Sequence, residues 1–191
     1  MSLQETNQQY YQGAQPFLVT NAAGQSSFVT NFDTDLLIIP GIEISTNKGH
    51  IIGLGINDVL PTKLSVEETA EKIRDLSGEV VASHPFDFTR KGIGKNIQKI
   101  QDVIVETVNA SCFLDWFNTK AKRYAFSNNL PETGGSDSHR LKDLGLAYTV
   151  CEAEITTIDD LLEAIRKKKT RGEGTHLTIL EKIVRTFQIH F

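Results

Sequence analysis

The sequence predicts an α/β fold: a largely parallel sheet with outer helices, open or closed into a TIM-barrel-like ring. Three observations carry this. From Leu36 to Lys169, stretches of strand and helix character mostly alternate. The strand stretches are apolar throughout, as in strands covered on both faces. Two of the helices open on recognisable starts, at Ser65 and Thr157. At 191 residues the chain holds about one domain, long enough for a substantial core.

Residues 1–35 are a poorly defined N-terminal segment with a Gln/Asn-rich start (Gln4, Asn7, Gln8, Gln9, Gln12). Within it, Phe17–Thr20 and Ser27–Thr30 are β-rich, with Ala22-Ala23-Gly24 as a turn, which reads as a hairpin or a disordered leader. Residues 36–191 form the main domain. Leu36–Ile39 is an apolar strand, Pro40-Gly41 is expected to turn the chain, and Ile42–Ser45 alternates apolar with polar. A turn at Asn47-Lys48-Gly49 leads into a strand over His50–Ile56. Ser65-Val66-Glu67-Glu68 is a capping box, Val66, Ala70, Ile73 and Ser77 share one stripe, and Gly78 is placed to end that helix.

Glu79–Ser83 is the next strand, stopped by His84-Pro85, and Val103–Asn109 another after a Gly- and Lys-containing loop. Asp115–Ser127 reads as a helix offering Trp116, Ala121, Tyr124 and Ala125 to a core. Strands over Thr133–Ser136 and Gly145–Val150 follow. Thr157 then caps a helix over Ile158–Lys169, whose cations crowd the end favoured by the macrodipole.

Composition narrows the function. Hydrophobic content of 39% with 23% charged residues is ordinary for a soluble protein, and no apolar run approaches the roughly 18 residues that span a bilayer. The start lacks a basic and apolar signal, and Cys112 and Cys151 lie far apart without a CxxC, so the expectation is a cytoplasmic protein with reduced thiols and no membrane partner. A net charge of -4 argues against a coat for nucleic acid. Residues 166–191, with seven cations against two acids, read as a solvated helix end or a tail touching phosphates, so nucleic acid stays open as a partner.

Chemistry concentrates in three stretches in which an apolar run ends on a metal-capable side chain. These are Ile38–Glu43, Val80–His84, and Thr133-Gly134-Gly135-Ser136-Asp137-Ser138-His139; His50 opens a further apolar run. In α/β proteins such strand ends carry the chemistry. Glu43, His50, His84, Asp137 and His139 suit Zn²⁺, Mn²⁺ or Fe, which accept mixed imidazole and carboxylate shells. Paired ions roughly 3.5–4 Å apart can clamp a phosphate ester and activate a water. Each residue also has a plain reading: His84 as a strand terminator, His50 as an exposed turn residue, Asp137 and His139 as an Asx-turn with a surface imidazole. His176 and His190 receive no role, and neither GxSxG nor GxxxxGK[ST] occurs in the chain.

Four segments in order, Pro40–Ser45, His50–Gly55, Ala82–Pro85 and Gly134–His139, resemble the later motifs of the polymerase and histidinol phosphatase (PHP) family of metal-dependent phosphoesterases. Ile104–Asn109, Leu144–Thr149 and Asp160–Arg166 add support, so the resemblance runs from about Leu36 to Thr170. It implies a PHP-like distorted (β/α)7 barrel with one to three divalent ions (Zn, Mn or Fe). In that scheme Glu43 bridges two ions, His50 and His84 complete the second site, Asp137 serves the first and His139 the third. Arg90, Lys91 and Arg140 are the basic candidates for substrate phosphate.

The sequence also departs from that family, which opens with strands ending in His-x-His and Thr-Asp-His; this chain has no histidine before His50 and only 39 residues before Pro40. The expected barrel is therefore incomplete on its N-terminal side. Three arrangements stay open: an incomplete version of a longer protein, substitute strands from Phe17–Asp35 with Asp33 or Asp35 near the metal, or a homo-oligomer that completes the barrel. The expected function is hydrolysis of a small phosphorylated metabolite or a nucleotide by a metal-activated water, with no covalent enzyme intermediate. The alternative is an eroded PHP-like scaffold that binds protein or RNA.

Overall fold

The computed structural model describes residues 17–21, 37–178, 180–182 and 184. The elements run β1 (Phe17–Asn21), β2 (Leu37–Thr46), β3 (Gly49–Leu54), α1 (Val66–Asp75), β4 (Glu79–Ala82), β5 (Ile104–Asn109), α2 (Asp115–Ser127), β6 (Glu132–Gly135), β7 (Ala147–Cys151), α3 (Ile158–Arg166) and β8 (Thr170–Gly174). Strands β1 to β6 form one sheet in sequence order, and β7 and β8 form a separate ribbon. The expected strand at Ser27–Thr30, the turn at residues 22–24, and Asp33, Asp35 and His190 lie outside the described residues.

The sheet is mixed rather than largely parallel. The pairs β1–β2, β4–β5 and β5–β6 are parallel, whereas β2–β3 and β3–β4 are antiparallel. The reason is local: Asn47 and Lys48 are too short a link for a crossover helix, so β3 returns as a hairpin partner of β2. Nor does Pro40-Gly41 turn the chain. β2 pairs with β1 from Leu37 to Gly41 and with β3 from Gly41 to Thr46, so the proline sits where one neighbour hands over to the next. Only its carbonyl is used there, accepting the Gly55 N–H at 2.8 Å, and a residue without an N–H is tolerated.

Both faces of the sheet are covered, as apolar strands require. Ile44, Ile51, Val80, Ala82 and Val105 pack on one side with Val66, Ala70 and Ile73 of α1 and Ala121 and Ala125 of α2. Ile39, Leu54, Val81 and Ile104 pack on the other with Leu161, Leu162 and Ile165 of α3. The alternation of Val80, Val81 and Ala82 between these two clusters is the period of two at work. No helix among the described residues is long and apolar enough to cross a membrane.

Helices α1 and α3 begin where their caps place them. Ser65 and Glu68 form a reciprocal capping box, as do Thr157 and Asp160. Their ends differ from expectation. Helix α1 stops at Asp75; Ser77, at φ 62°, takes the left-handed position expected of Gly78, and the Gly78 N–H bonds to Ile73 O at 3.0 Å in a Schellman closure. Helix α3 ends at Arg166, because Lys168 turns left-handed and β8 starts at Thr170. In α2 it is Phe117 that is buried, while Trp116 is exposed.

The β7–β8 ribbon lies against β6. Thr149 Oγ1 accepts the Gly134 N–H at 3.0 Å and donates to Gly134 O at 2.9 Å, while Thr170 Oγ1 donates to Glu132 O at 2.7 Å. The crossing needs a missing side chain: a Cβ on Gly134 would lie 2.5 Å from Tyr148 O and 2.9 Å from Gly172 Cα. Both obstacles are backbone and cannot swing aside. Gly134→Ala is therefore expected to lower the unfolding free energy by roughly 2 kcal/mol in urea denaturation, the range of overpacking changes. An unchanged midpoint would rule this account out.

Candidate metal centre

Glu43, His50 and His84 converge at one edge of the sheet. In the β2–β3 hairpin His50 stands opposite Ser45, and Glu43, two residues before Ser45, points to the same face as its diagonal neighbour. Strand β4 pairs with β3 on the other side and ends at Ala82, so His84 arrives beside them. The distances from Glu43 Oε1 are 3.5 Å to His50 Nδ1 and 3.4 Å to His84 Nε2. The three potential ligand atoms all lie within 4.8 Å of one another, the one such group of three among the described residues. Ser83 Oγ donates to Glu43 Oε1 at 3.1 Å, and the His50 N–H is held by Lys91 O at 2.9 Å.

His84 is the best-anchored member. It is buried, and its backbone takes φ 33°, uncommon for a residue with a side chain. Its N–H donates to Glu106 Oε2 at 2.7 Å, and Asn109 Nδ2 donates to the same oxygen at 3.0 Å. Glu106 comes from β5, in which every residue is buried. Its carboxylate fits because Gly135 has no side chain; a Cβ there would lie 2.7 Å from Glu106 Oε1.

Asp137 and His139 stand apart from the group of three. Asp137 Oδ2 is 2.5 Å from Arg90 Nη2 and accepts from Asn109 Nδ2 at 3.3 Å, and Ser111 Oγ donates to its carbonyl at 3.0 Å. His139 is half exposed and turns Nδ1 toward the Asp137 carbonyl, 3.1 Å away. Of the other basic candidates, Lys91 is exposed, and Arg140 is forked onto the buried Asp143 at 2.8 and 2.9 Å. His176 lies 3.6 Å from Asp115, away from this group. Sequence reasoning missed Glu106, Asn109 and Ser83 as supports. An acid inside the apolar run Ile104–Val108 was the available signal for Glu106.

Electrostatics follow the packing. Burial pushes the Glu43 carboxyl up, but hydrogen bonds with His50 and His84 outweigh it, and the group titrates well below the usual carboxylate range. For His84, burial disfavours the charged ring, yet Glu43, Glu106 and Asp137 outweigh burial and raise its pKa. Burial dominates at Glu106 and pushes it up to about 7. Burial likewise pushes the Cys112 thiol up, and both cysteines are free.

The residues fit a divalent ion. One carboxylate and two imidazoles form a donor set suited to Zn²⁺ and its neighbours, with the His84 Nε2 turned toward Glu43.

Comparison with known proteins places this geometry in context. Residues 115–170 match the PHP-associated family. The uncharacterized protein MJ0417 of Methanocaldococcus jannaschii is 33% identical over 131 residues, covering 64% of this chain and 55% of that protein. Uncharacterized protein MJ1587 of the same organism is 41% identical over 73 residues, covering 38% of this chain and 43% of that one. The chain thus spans about half the length of these relatives. Among solved structures, a two-domain protein from Bacteroides vulgatus containing a predicted PHP-like metal-dependent phosphoesterase shares the fold at TM-score 0.62 and 15% identity, over 89% of this chain and 60% of that chain. PsfC from Pseudomonas syringae does so at TM-score 0.61 and 17% identity, over 82% and 67%. The fold is mixed α/β and PHP-like. The family match covers residues 115–170, under a third of the chain, and the two solved structures share its fold.

Glu106 makes stability depend on pH. The folded protein holds a proton there up to about pH 7, whereas an ordinary carboxyl of pKa 4.5 in the unfolded chain has already released it. This contribution is complete below pH 4.5 and is lost as pH rises through about 7. Across pH 5 to 8, urea unfolding of metal-free protein is expected to show Glu106→Gln gaining on wild type by up to about 1.4 kcal/mol per pH unit. A difference constant with pH would refute the assignment.

Proposed function

We propose that this chain is a PHP-type metal-dependent phosphoesterase that hydrolyses a small phosphorylated metabolite or a nucleotide. The observation that carries the reading is the convergence of Glu43, His50 and His84 at one sheet edge. In this reading the three residues hold one divalent transition ion, Zn, Mn or Fe. When bound there, such an ion would supply Lewis-acid polarisation of a phosphoryl group and activation of a water. Glu43 is kept ionised for it by His50 and His84, and Arg90 and Lys91 lie nearby to hold phosphate.

A cavity of about 340 Å³ beside the loop that follows His84 supports a ring-bearing phosphate such as a nucleotide. Phe86, Phe88 and Tyr124 supply apolar walls, and Lys95 and Lys120 supply positive charge. Residues 36–191 are then the PHP-like domain, a (β/α)7-type barrel incomplete on its N-terminal side that a second copy would complete. The cytoplasm, where Cys112 and Cys151 stay reduced, is the compartment that suits it.

The test is metal content by elemental analysis beside hydrolysis of p-nitrophenyl phosphate. Wild type is expected to hold ion and turn over, and His84→Ala to lose the ion and at least about 100-fold of the rate. Wild type that stays empty after incubation with Zn²⁺ and Mn²⁺ would overturn the reading in favour of a scaffold without catalysis.

A further inference from the structure

A helical turn late in the chain reaches back toward the loop that follows His84. It begins at Thr178, whose hydroxyl and N–H donate to Glu181 Oε2 at 2.7 and 2.8 Å, while the Glu181 N–H donates to Thr178 Oγ1 at 3.3 Å. Just ahead of it Leu177 is buried, and its N–H donates to Ala110 O at 2.8 Å. Leu180 and Val184 are exposed, so they do not tie the turn down. Lys182 does: it is only 9% exposed, and its Nζ donates to Phe113 O at 3.2 Å. An ammonium is costly to bury unless it is partnered. Burial lowers its pKa, and the charges of Asp87 and Asp115 are among those that oppose the shift.

The Phe113 peptide acts as a bridge. Its carbonyl accepts from Lys182, and its N–H donates to Asp87 Oδ2 at 2.7 Å. Asp87 is fully buried and closes the loop after His84 with both its side chain and its main chain. Its Oδ1 accepts the Thr89 N–H at 3.0 Å and the Thr89 hydroxyl at 2.5 Å, and its carbonyl accepts the Gly92 N–H at 2.8 Å. The loop closed in this way carries Arg90 and Lys91, and Lys91 takes φ 58°, which residues with a side chain adopt rarely. Such a conformation persists where its surroundings over-determine it.

We propose that Lys182 is a positioning residue: through the Phe113 peptide and Asp87 it clamps the loop from Asp87 to Gly92 in the shape that offers Arg90 and Lys91 to a substrate phosphate. The proposal rests on the phosphoesterase reading above and adds to it a residue distant in sequence that governs the grip on substrate. His50 keeps its pairing with Ser45 in the hairpin, so the clamp acts on phosphate and leaves the group of Glu43, His50 and His84 in place.

The experiment reads amide hydrogen exchange by NMR and the kinetics of p-nitrophenyl phosphate hydrolysis, both on the whole chain. Lys182→Met keeps the length of the side chain and removes its donor. In that variant the amides of Thr89, Gly92 and Phe113 are expected to exchange about tenfold faster, with those of β5 unchanged. KM is expected to rise about tenfold while kcat stays within about twofold, and Lys182→Arg to restore both. In wild type under dilute urea the amides of Thr89, Gly92, Phe113 and Lys182 should open as one unit, which decides the matter if Lys182→Met does not fold. Unchanged exchange in the loop, equal acceleration throughout β5, a fall in kcat at constant KM, or separate opening of those four amides would each overturn the proposal. Absence of turnover in wild type would overturn the phosphoesterase reading and the phosphate role with it, and the exchange data would then decide the clamp alone.

Discussion

The structure of the site depends on one buried carboxylate. Glu106 lies inside β5 and receives the His84 amide and the Asn109 side chain on a single oxygen. That contact ties the end of β4 to β5 and holds His84 in a backbone conformation that side chains usually avoid. Burial without donors would cost several kcal/mol for a charged group. Two donors reduce that cost without abolishing it, which is why the group keeps a raised proton affinity. Gly135 is part of the same device, since any side chain there would occupy the carboxylate's space.

Sheet topology explains why residues from such different strand positions meet. In a parallel sheet, functional side chains collect where the strands end. Here Glu43 lies toward the end of β2, His84 follows the end of β4, and His50 lies at the start of β3. Because β3 runs antiparallel to both neighbours, its start falls on the same edge as their ends. The rule for parallel sheets thus survives one reversed strand. Lys91 completes the edge from outside, its carbonyl holding the His50 amide and its loop folding close enough that Gly92 can carry no side chain.

Legibility of the chain followed from what local patterns encode. The capping box at Ser65 and the threonine start at Thr157 placed two helix starts, because the cap and its donor lie within four residues. Apolar runs ending on Glu43 and His84 were readable for the same reason. Partner choice was not. Nothing within Pro40-Gly41 says that it bridges two neighbouring strands, and β8, with the sequence Thr-Arg-Gly-Glu-Gly, lacks the apolar alternation that marks a strand. Its Gly172 serves the close crossing over β6, where a Cβ would meet Thr133 O, a contact between segments some 40 residues apart. Trp116 and Phe117 are adjacent, so composition alone could not say which faces inward. The Arg90–Asp137 pair joins residues 47 positions apart, and no local pattern announces it.

Charge balance gives the pairing of Arg90 with Asp137 its structural sense. Both side chains are mostly buried, and their opposite charges offset one another. Glu43 is the carboxylate that faces the two imidazoles, so its charge is the one that His50 and His84 meet. Every residue of β5 beside them is buried, and the low dielectric there strengthens each of these charges relative to an open surface.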